Sequence, residues 1–148
     1  PTSWRTSALP DGNPSDNDAI DLADWKSAAN VTDLFSDDDN DGLAALLEFA
    51  GGQDPGIPES GGLIDIMLEN SDNPHPVIAF RQHIGADAIS FSAEESTNLI
   101  DWTAGPTYLG RVNNGDGTSS ILFRGSQPAS AQQTGYLRIL ASEKPVSP

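Results

Sequence analysis

Hydrophobic residues in the first part of the chain recur every three or four positions. Two stretches, 18–29 and 43–50, show this spacing, which places apolar side chains on one face of a helix. Asp18 is positioned to cap the first helix, with Asp21 in its first turn, where a negative charge is favourable. The pattern therefore predicts two helices, joined through a turn or short helix at 32–35.

The second helix is followed by strong stop signals, and the spacing of the apolar residues then changes. Gly51-Gly52 and Asp54-Pro55 are typical of a helix end. From residue 63 onward, apolar and polar residues alternate, as they do in half-buried strands. Between the fourth and fifth predicted strands lies NNGDGT, a hairpin turn by composition. The predicted strands cover 64–68, 77–82, 89–94, 108–112, 119–124 and 136–140.

These elements predict an α+β fold. About six short strands at turn-punctuated intervals indicate an antiparallel sandwich or barrel-like sheet. The stretch 53–62 holds two prolines and three glycines, so we place a boundary there. The predicted parts are a linker or N-terminal arm (1–17), a helical module (18–58), a β-domain (59–141) and a tail (142–148).

The strongest chemical signal is DDDNDGLAALLE at 37–48. Acidic residues at positions one, three, five and twelve, with Gly42 at six, match the twelve-residue calcium-loop pattern. A hard cation such as Ca²⁺ takes six to eight oxygen ligands, and position seven offers a backbone carbonyl. The predicted ligands come from Asp37, Asp39, Asp41, Leu43 and Glu48.

An empty acidic loop is the alternative interpretation, because acidic runs are usually solvated. Here, however, the acids run directly into an apolar helix face, where their charges repel one another unless a cation lies among them. Positions eight and nine are Ala44 and Ala45, so a ligand at position nine would have to be water. We expect Ca²⁺ to bind with a dissociation constant on the order of 10⁻⁴–10⁻⁶ M, and Mg²⁺ to be a poor substitute.

Charge and composition narrow the choice of partners. The 148 residues carry a net charge of −15, which argues against binding to nucleic acid or to an anionic membrane surface. There are no cysteines, so disulfides and thiolate metal sites are excluded. No apolar run approaches the roughly 20 residues of a membrane helix, so we expect no membrane insertion. Because the chain begins at Pro1, we expect it to be part of a longer protein.

The chain resembles a known arrangement of modules at the C-termini of large exported bacterial proteins. DDDNDGLAALLEFAGGQDP is similar to the calcium loops of thrombospondin type 3 repeats and dockerins, followed by a leucine-rich helix and Asp-Pro. In that arrangement a β-domain follows, and the matching pieces here are Phe80-Arg81-Gln82, SFSAEES, NLIDW and the closing Gly-Tyr-Leu-Arg-Ile strand. SWRTSALPDGNPSDND resembles the end of a lamin-tail-like domain. The resemblance implies an extracellular or cell-surface accessory module with no known chemistry. A cohesin-binding role is not expected, because dockerins carry two such loops.

Catalytic patterns are sparse, and we predict no enzymatic activity. The two histidines, His75 and His83, form no metal-binding or nucleophile motif. Glu94-Glu95 with Asp101 imitates a glycosidase acid pair, but separated carboxylates are common on an acidic surface.

Three functions stay open. The first is a calcium-stabilised structural or spacer module of an exported bacterial surface protein. The second is a self-assembling filament or surface-layer subunit, associating through strand edges or the N-terminal arm around Trp4. The third is a carbohydrate-binding accessory module that uses Trp102, Tyr108 or Tyr136 to stack on a polysaccharide, although these aromatics can equally fill core or half-buried positions.

Overall fold

Two short helices precede six antiparallel strands in the computed structural model, which describes residues 19–59, 61–131 and 134–145. The predicted α+β class and strand number are confirmed. A 3₁₀ turn, Ala129–Ala131, lies before the last strand. The elements are α1 (Leu22–Ala28), α2 (Ala45–Gly51), β1 (Ile64–Leu68), β2 (Pro76–His83), β3 (Ile89–Ser96), β4 (Thr107–Asn113), β5 (Thr118–Arg124) and β6 (Tyr136–Glu143).

The start of α1 and the end of α2 both follow from local chemistry. Asp21 caps α1, since its extended backbone lets the side chain accept a 2.9 Å hydrogen bond from the Asp24 N–H. The predicted cap at Asp18 was therefore wrong, and Asp18 lies outside the described residues. The predicted end of α2 is confirmed: Gly52 adopts a left-handed φ of 76°, which glycine reaches without steric cost.

The strands form two sheets. Within the described residues, one sheet has the order β1-β2-β5-β4 and the other contains β3 and β6. The predicted hairpin connects β4 to β5, with Gly115 and Gly117 at positive φ in its turn. β6 continues to Glu143, two residues beyond the predicted end of the β-domain.

A hydrophobic core lies between the sheets and continues under α2. Ile78, Ile121 and Phe123 of the four-stranded sheet pack with Ala93 of the other sheet. A second cluster joins Leu46, Phe49 and Ala50 of α2 to residues of both sheets, and α2 is thereby fixed against the β-strands. The members outside α2 are Leu63, Phe80, Ala86 and Ile89.

Candidate metal centre

The acidic loop leads directly into α2, and its base is closed by backbone hydrogen bonds. The Ala45 N–H donates to the Ser36 carbonyl and the Leu46 N–H donates to the Leu34 carbonyl, both at 2.9 Å. Within the loop, Asn40 and Gly42 have positive φ values of 63° and 98°. These are residue types that tolerate left-handed backbone, so the chain can turn sharply between the aspartates.

Three aspartates converge inside this loop. One carboxylate oxygen from each of Asp37, Asp39 and Asp41 lies within 4.8 Å of the others. Backbone donors hold them in place: Asp37 accepts from the N–H groups of Asp41 and Gly42 at 3.1 and 3.0 Å, and Asp39 accepts from the Asp41 N–H at 3.1 Å. Asp41 in turn accepts from the Leu43 N–H at 2.8 Å. The structure thus brings together three of the predicted ligands, at the spacing that a cation site requires.

Glu48 is the most unusual residue of the centre. It is 1% exposed, yet neither of its carboxylate oxygens has a hydrogen-bond partner within the described part of the chain. Burial raises the pKa of Glu48 to about 7, and the nearby charges of Asp39, Asp41, Asp37 and Asp54 contribute further. A buried carboxylate without a donor is costly, and either protonation of Glu48 or a cation beside it would remove that cost.

Asp39 also has a buried carboxylate oxygen without a partner and a raised pKa. Its Oδ2 atom is buried and has no hydrogen-bond partner in the described residues, and burial is the largest cause of the raised pKa of Asp39. Within the described residues, two of the predicted ligands therefore present carboxylate oxygens without a hydrogen-bond partner, and carboxylate oxygens are the atom type that hard cations bind. The contribution of the Leu43 carbonyl stays a prediction.

Two residues beyond the twelve-residue loop belong to the centre and were not predicted. The Glu59 N–H donates a 3.1 Å hydrogen bond to Oδ2 of Asp41, which links the loop to the segment leading into β1. Asp54 lies close enough to Glu48 to raise its pKa. No sequence signal identified these contacts, because they depend on the path of the chain after α2.

The other candidate residues lie apart from this centre. His75 Nδ1 is 2.9 Å from the Gly125 carbonyl, and His83 Nδ1 accepts from the Gly85 N–H at 3.1 Å. Glu94 pairs with Arg138, whereas Glu95 accepts from Ser126. Since neighbouring strand residues point to opposite faces, Glu94 and Glu95 do not converge as an acid pair.

The three aromatic residues considered for sugar stacking lie in different parts of the structure. The Arg138 guanidinium lies 4.1 Å from the centre of the Trp102 ring and covers one ring face. Tyr136 lines a cavity of about 200 Å³ with Ile66 and Leu137. Tyr108 lies at the opposite flank of the four-stranded sheet, against Phe123.

Comparison with protein-family models, with curated proteins and with solved structures found no match. Among the described residues, no helix is both long enough and apolar enough to span a membrane.

Proposed function

We propose that this chain is a non-enzymatic structural module of an exported bacterial surface protein, and that one Ca²⁺ ion stabilises it. The observation that carries the proposal is Glu48, a fully buried carboxylate beside three converging aspartates, whose two oxygens have no hydrogen-bond partner among the described residues. The residues that would hold the ion are Asp37, Asp39, Asp41 and Glu48, together with the Leu43 carbonyl. Carboxylate and carbonyl oxygens are the ligands that Ca²⁺ prefers.

The ion would act through folding free energy. Without it, the charges of the centre repel one another and the burial of Glu48 is uncompensated. With it, the binding free energy contributes directly to the stability of the folded state. The exported, surface location rests on the resemblance to modules of large secreted proteins.

The contacts of the centre give this stabilisation a mechanical consequence. Glu48 belongs to α2, which packs on both sheets through Phe49 and Ala50. Asp41 binds the backbone of Glu59, shortly before β1. An ion among these carboxylates would tie the loop, α2 and the entry to β1 together, so the module would act as a rigid spacer.

Proteolysis with a glutamate-specific enzyme tests this function. Cleavage after Glu59 should slow strongly when Ca²⁺ is added to the metal-free protein, because the ion holds Asp41 and therefore the Glu59 backbone. The Glu48→Gln variant should lose this protection, while Asp38→Asn, at a position that is not a predicted ligand, should keep it. Equal cleavage rates with Ca²⁺ and with chelator would contradict the spacer function.

Self-assembly is a second candidate, favoured by the edge strand β1. Ile66 and Leu68 on this strand are 63% and 59% exposed, and exposed apolar edge strands tend to pair with other chains. Sedimentation at increasing protein concentration, followed by electron microscopy, tests this candidate. Ordered polymers that disappear when residues 1–15 are deleted would support assembly, and a persistent monomer would leave the spacer function standing.

A further inference from the structure

The two sheets have unequal numbers of strands, and this leaves part of β3 without a neighbour. β3 pairs with β6 on one side, while on the other side the Glu95 backbone exchanges two 2.9 Å hydrogen bonds with Thr103. Backbone groups alternate in direction along a strand, so those of Phe91 and Ala93 point to the same side as those of Glu95. Within the described strands nothing pairs with β3 there.

A groove runs along this free edge. Its volume is about 360 Å³, and its floor includes Ile121 and Phe123 of β5. Tyr108 of β4 packs on Phe123 with ring centres 5.4 Å apart and is 55% exposed. The groove is therefore apolar at its base and has an accessible aromatic side chain on one wall.

Two cations line the same groove. Arg111 lies directly opposite Ile121 in the β4–β5 pair, and opposite residues share a sheet face, so Arg111 is on the groove side. Lys144 follows β6, where its N–H donates to the Ala88 carbonyl at 2.7 Å. Neither side chain forms an ion pair in the portion of the chain that the structure describes. By contrast, Arg81, Arg124 and Arg138 pair with Asp116, Glu69 and Glu94 respectively.

We propose that this groove binds a short, extended, acidic peptide segment of a partner protein, which adds as a strand to the free edge of β3. Three features of the groove support this occupant. Unpaired backbone groups in strand geometry provide main-chain hydrogen bonds, the apolar floor accepts alternate side chains, and Arg111 and Lys144 complement carboxylates. The open edge runs from Ser90 to Glu94, because the Ile89 N–H already donates to the Ala86 carbonyl at 3.4 Å. It accommodates about five residues of an added strand, one opposite each residue of β3.

The charge of the protein makes this groove selective. The chain carries 22 acidic and 7 basic residues, so most of its surface repels an acidic peptide. Arg111 and Lys144 bring two of the few basic side chains to one place. An acidic oligosaccharide is less suited to the groove, because its many hydroxyl groups would lie on the apolar surface of Ile121 and Phe123. This inference does not depend on the calcium centre.

The test uses the full chain in Ca²⁺ and a fluorescent, capped hexapeptide of alternating valine and glutamate. Fluorescence polarisation should show saturable binding that weakens with added salt. Replacing both cations (Arg111→Gln with Lys144→Gln) should raise the dissociation constant about tenfold or more. The matched control is Arg81→Gln, which removes a cation outside the groove and should change the dissociation constant less than about twofold.

Two peptide controls separate strand addition from simple charge attraction. N-methylation at alternate valines removes backbone donors without changing the side-chain charges, and should abolish binding. A valine–lysine hexapeptide should not bind. The proposal is overturned if the N-methylated peptide binds equally well, or if no binding of the glutamate peptide occurs at about 1 mM. Binding of oligogalacturonate in place of the peptide, or a dimer of this chain that protects the groove, would likewise overturn it.

Discussion

Replacing Glu48 by glutamine should change the stability of the protein in opposite directions with and without Ca²⁺. The substitution keeps the shape of the side chain and removes its charge. In the metal-free protein above pH 8, Glu48 is ionised in both the folded and the unfolded state, and only the folded state bears the cost of burying the charge. Glu48→Gln should therefore leave the metal-free protein as stable as the wild type or more stable.

The magnitude follows from the pKa of about 7, compared with an ordinary value of 4.5. At about 1.4 kcal/mol per pKa unit, the cost of the buried charge is at most about 3.5 kcal/mol. A buried, unpartnered amide costs about 1–3 kcal/mol itself, so the net gain in the metal-free variant should be at most about 0.5–2.5 kcal/mol. At Ca²⁺ one hundredfold above its dissociation constant, the wild type should instead gain about 2.7 kcal/mol, most of which the variant should lose.

Thermal and urea unfolding in Ca²⁺ and in chelator measure both effects. For a chain of this length, a gain of 2.7 kcal/mol corresponds to a rise in Tm of roughly 5–11 °C. Asp38→Asn is the matched control, since it removes one acidic charge next to the predicted ligands and should keep the calcium response of the wild type. If both variants show equal Tm shifts on adding Ca²⁺, general charge relief and not coordination explains the acidic loop.

Three further results are expected. Because burial raises the pKa of Glu48 to about 7, the metal-free protein should lose stability as the pH rises from about 4.5 to about 7. For the same reason, Ca²⁺ binding near pH 6 should release close to one proton. Calorimetry in buffers of different ionisation enthalpy measures this proton release. Gly42→Ala should lower the free energy of unfolding by about 1 kcal/mol and weaken Ca²⁺ binding. The cause is backbone strain, because Gly42 has a φ of 98°, which is strained for alanine, whereas the added Cβ itself would meet open space. An unchanged Ca²⁺ affinity would contradict this prediction. Phe49→Ala should cost about 3–5 kcal/mol. In a background where Trp4 and Trp102 are replaced by Phe, Trp25 fluorescence and β-sheet circular dichroism should still report one transition, because Phe49 packs on Trp25 and on the core shared with the sheets. Two separate transitions would refute that coupling.

The convergence of the loop aspartates could be predicted because it depends on residues that are close in sequence. Asp37, Asp39 and Asp41 converge within a turn whose shape Gly42 permits, and the same twelve-residue pattern names Glu48 as a further ligand. The strands could be predicted for the same reason, since alternation of apolar and polar residues is a local property. Even the hairpin between β4 and β5 depends only on a short run of turn residues.

Contacts between residues that are far apart in the sequence could not be predicted. The contact between Asp41 and the Glu59 backbone is set by how the segment after α2 returns to the loop. The sheet order, which brings Tyr108 and Arg111 beside β3, depends on the choice among several strand pairings of similar hydrophobicity. The cap of α1 was misplaced because Asp18 and Asp21 offer the same side chain three residues apart, and the actual start of the helix selects Asp21.

Titration of the refolded, metal-free protein with Ca²⁺ and with Mg²⁺ by isothermal calorimetry tests the central claim most directly. We expect one Ca²⁺ ion per chain, with a dissociation constant on the order of 10⁻⁴–10⁻⁶ M, and much weaker binding of Mg²⁺. The Glu48→Gln protein in the same cell should show little or no uptake of Ca²⁺. No Ca²⁺ binding by the wild type, or equal binding by the variant, would contradict the assignment of Asp37, Asp39, Asp41 and Glu48 as a calcium centre.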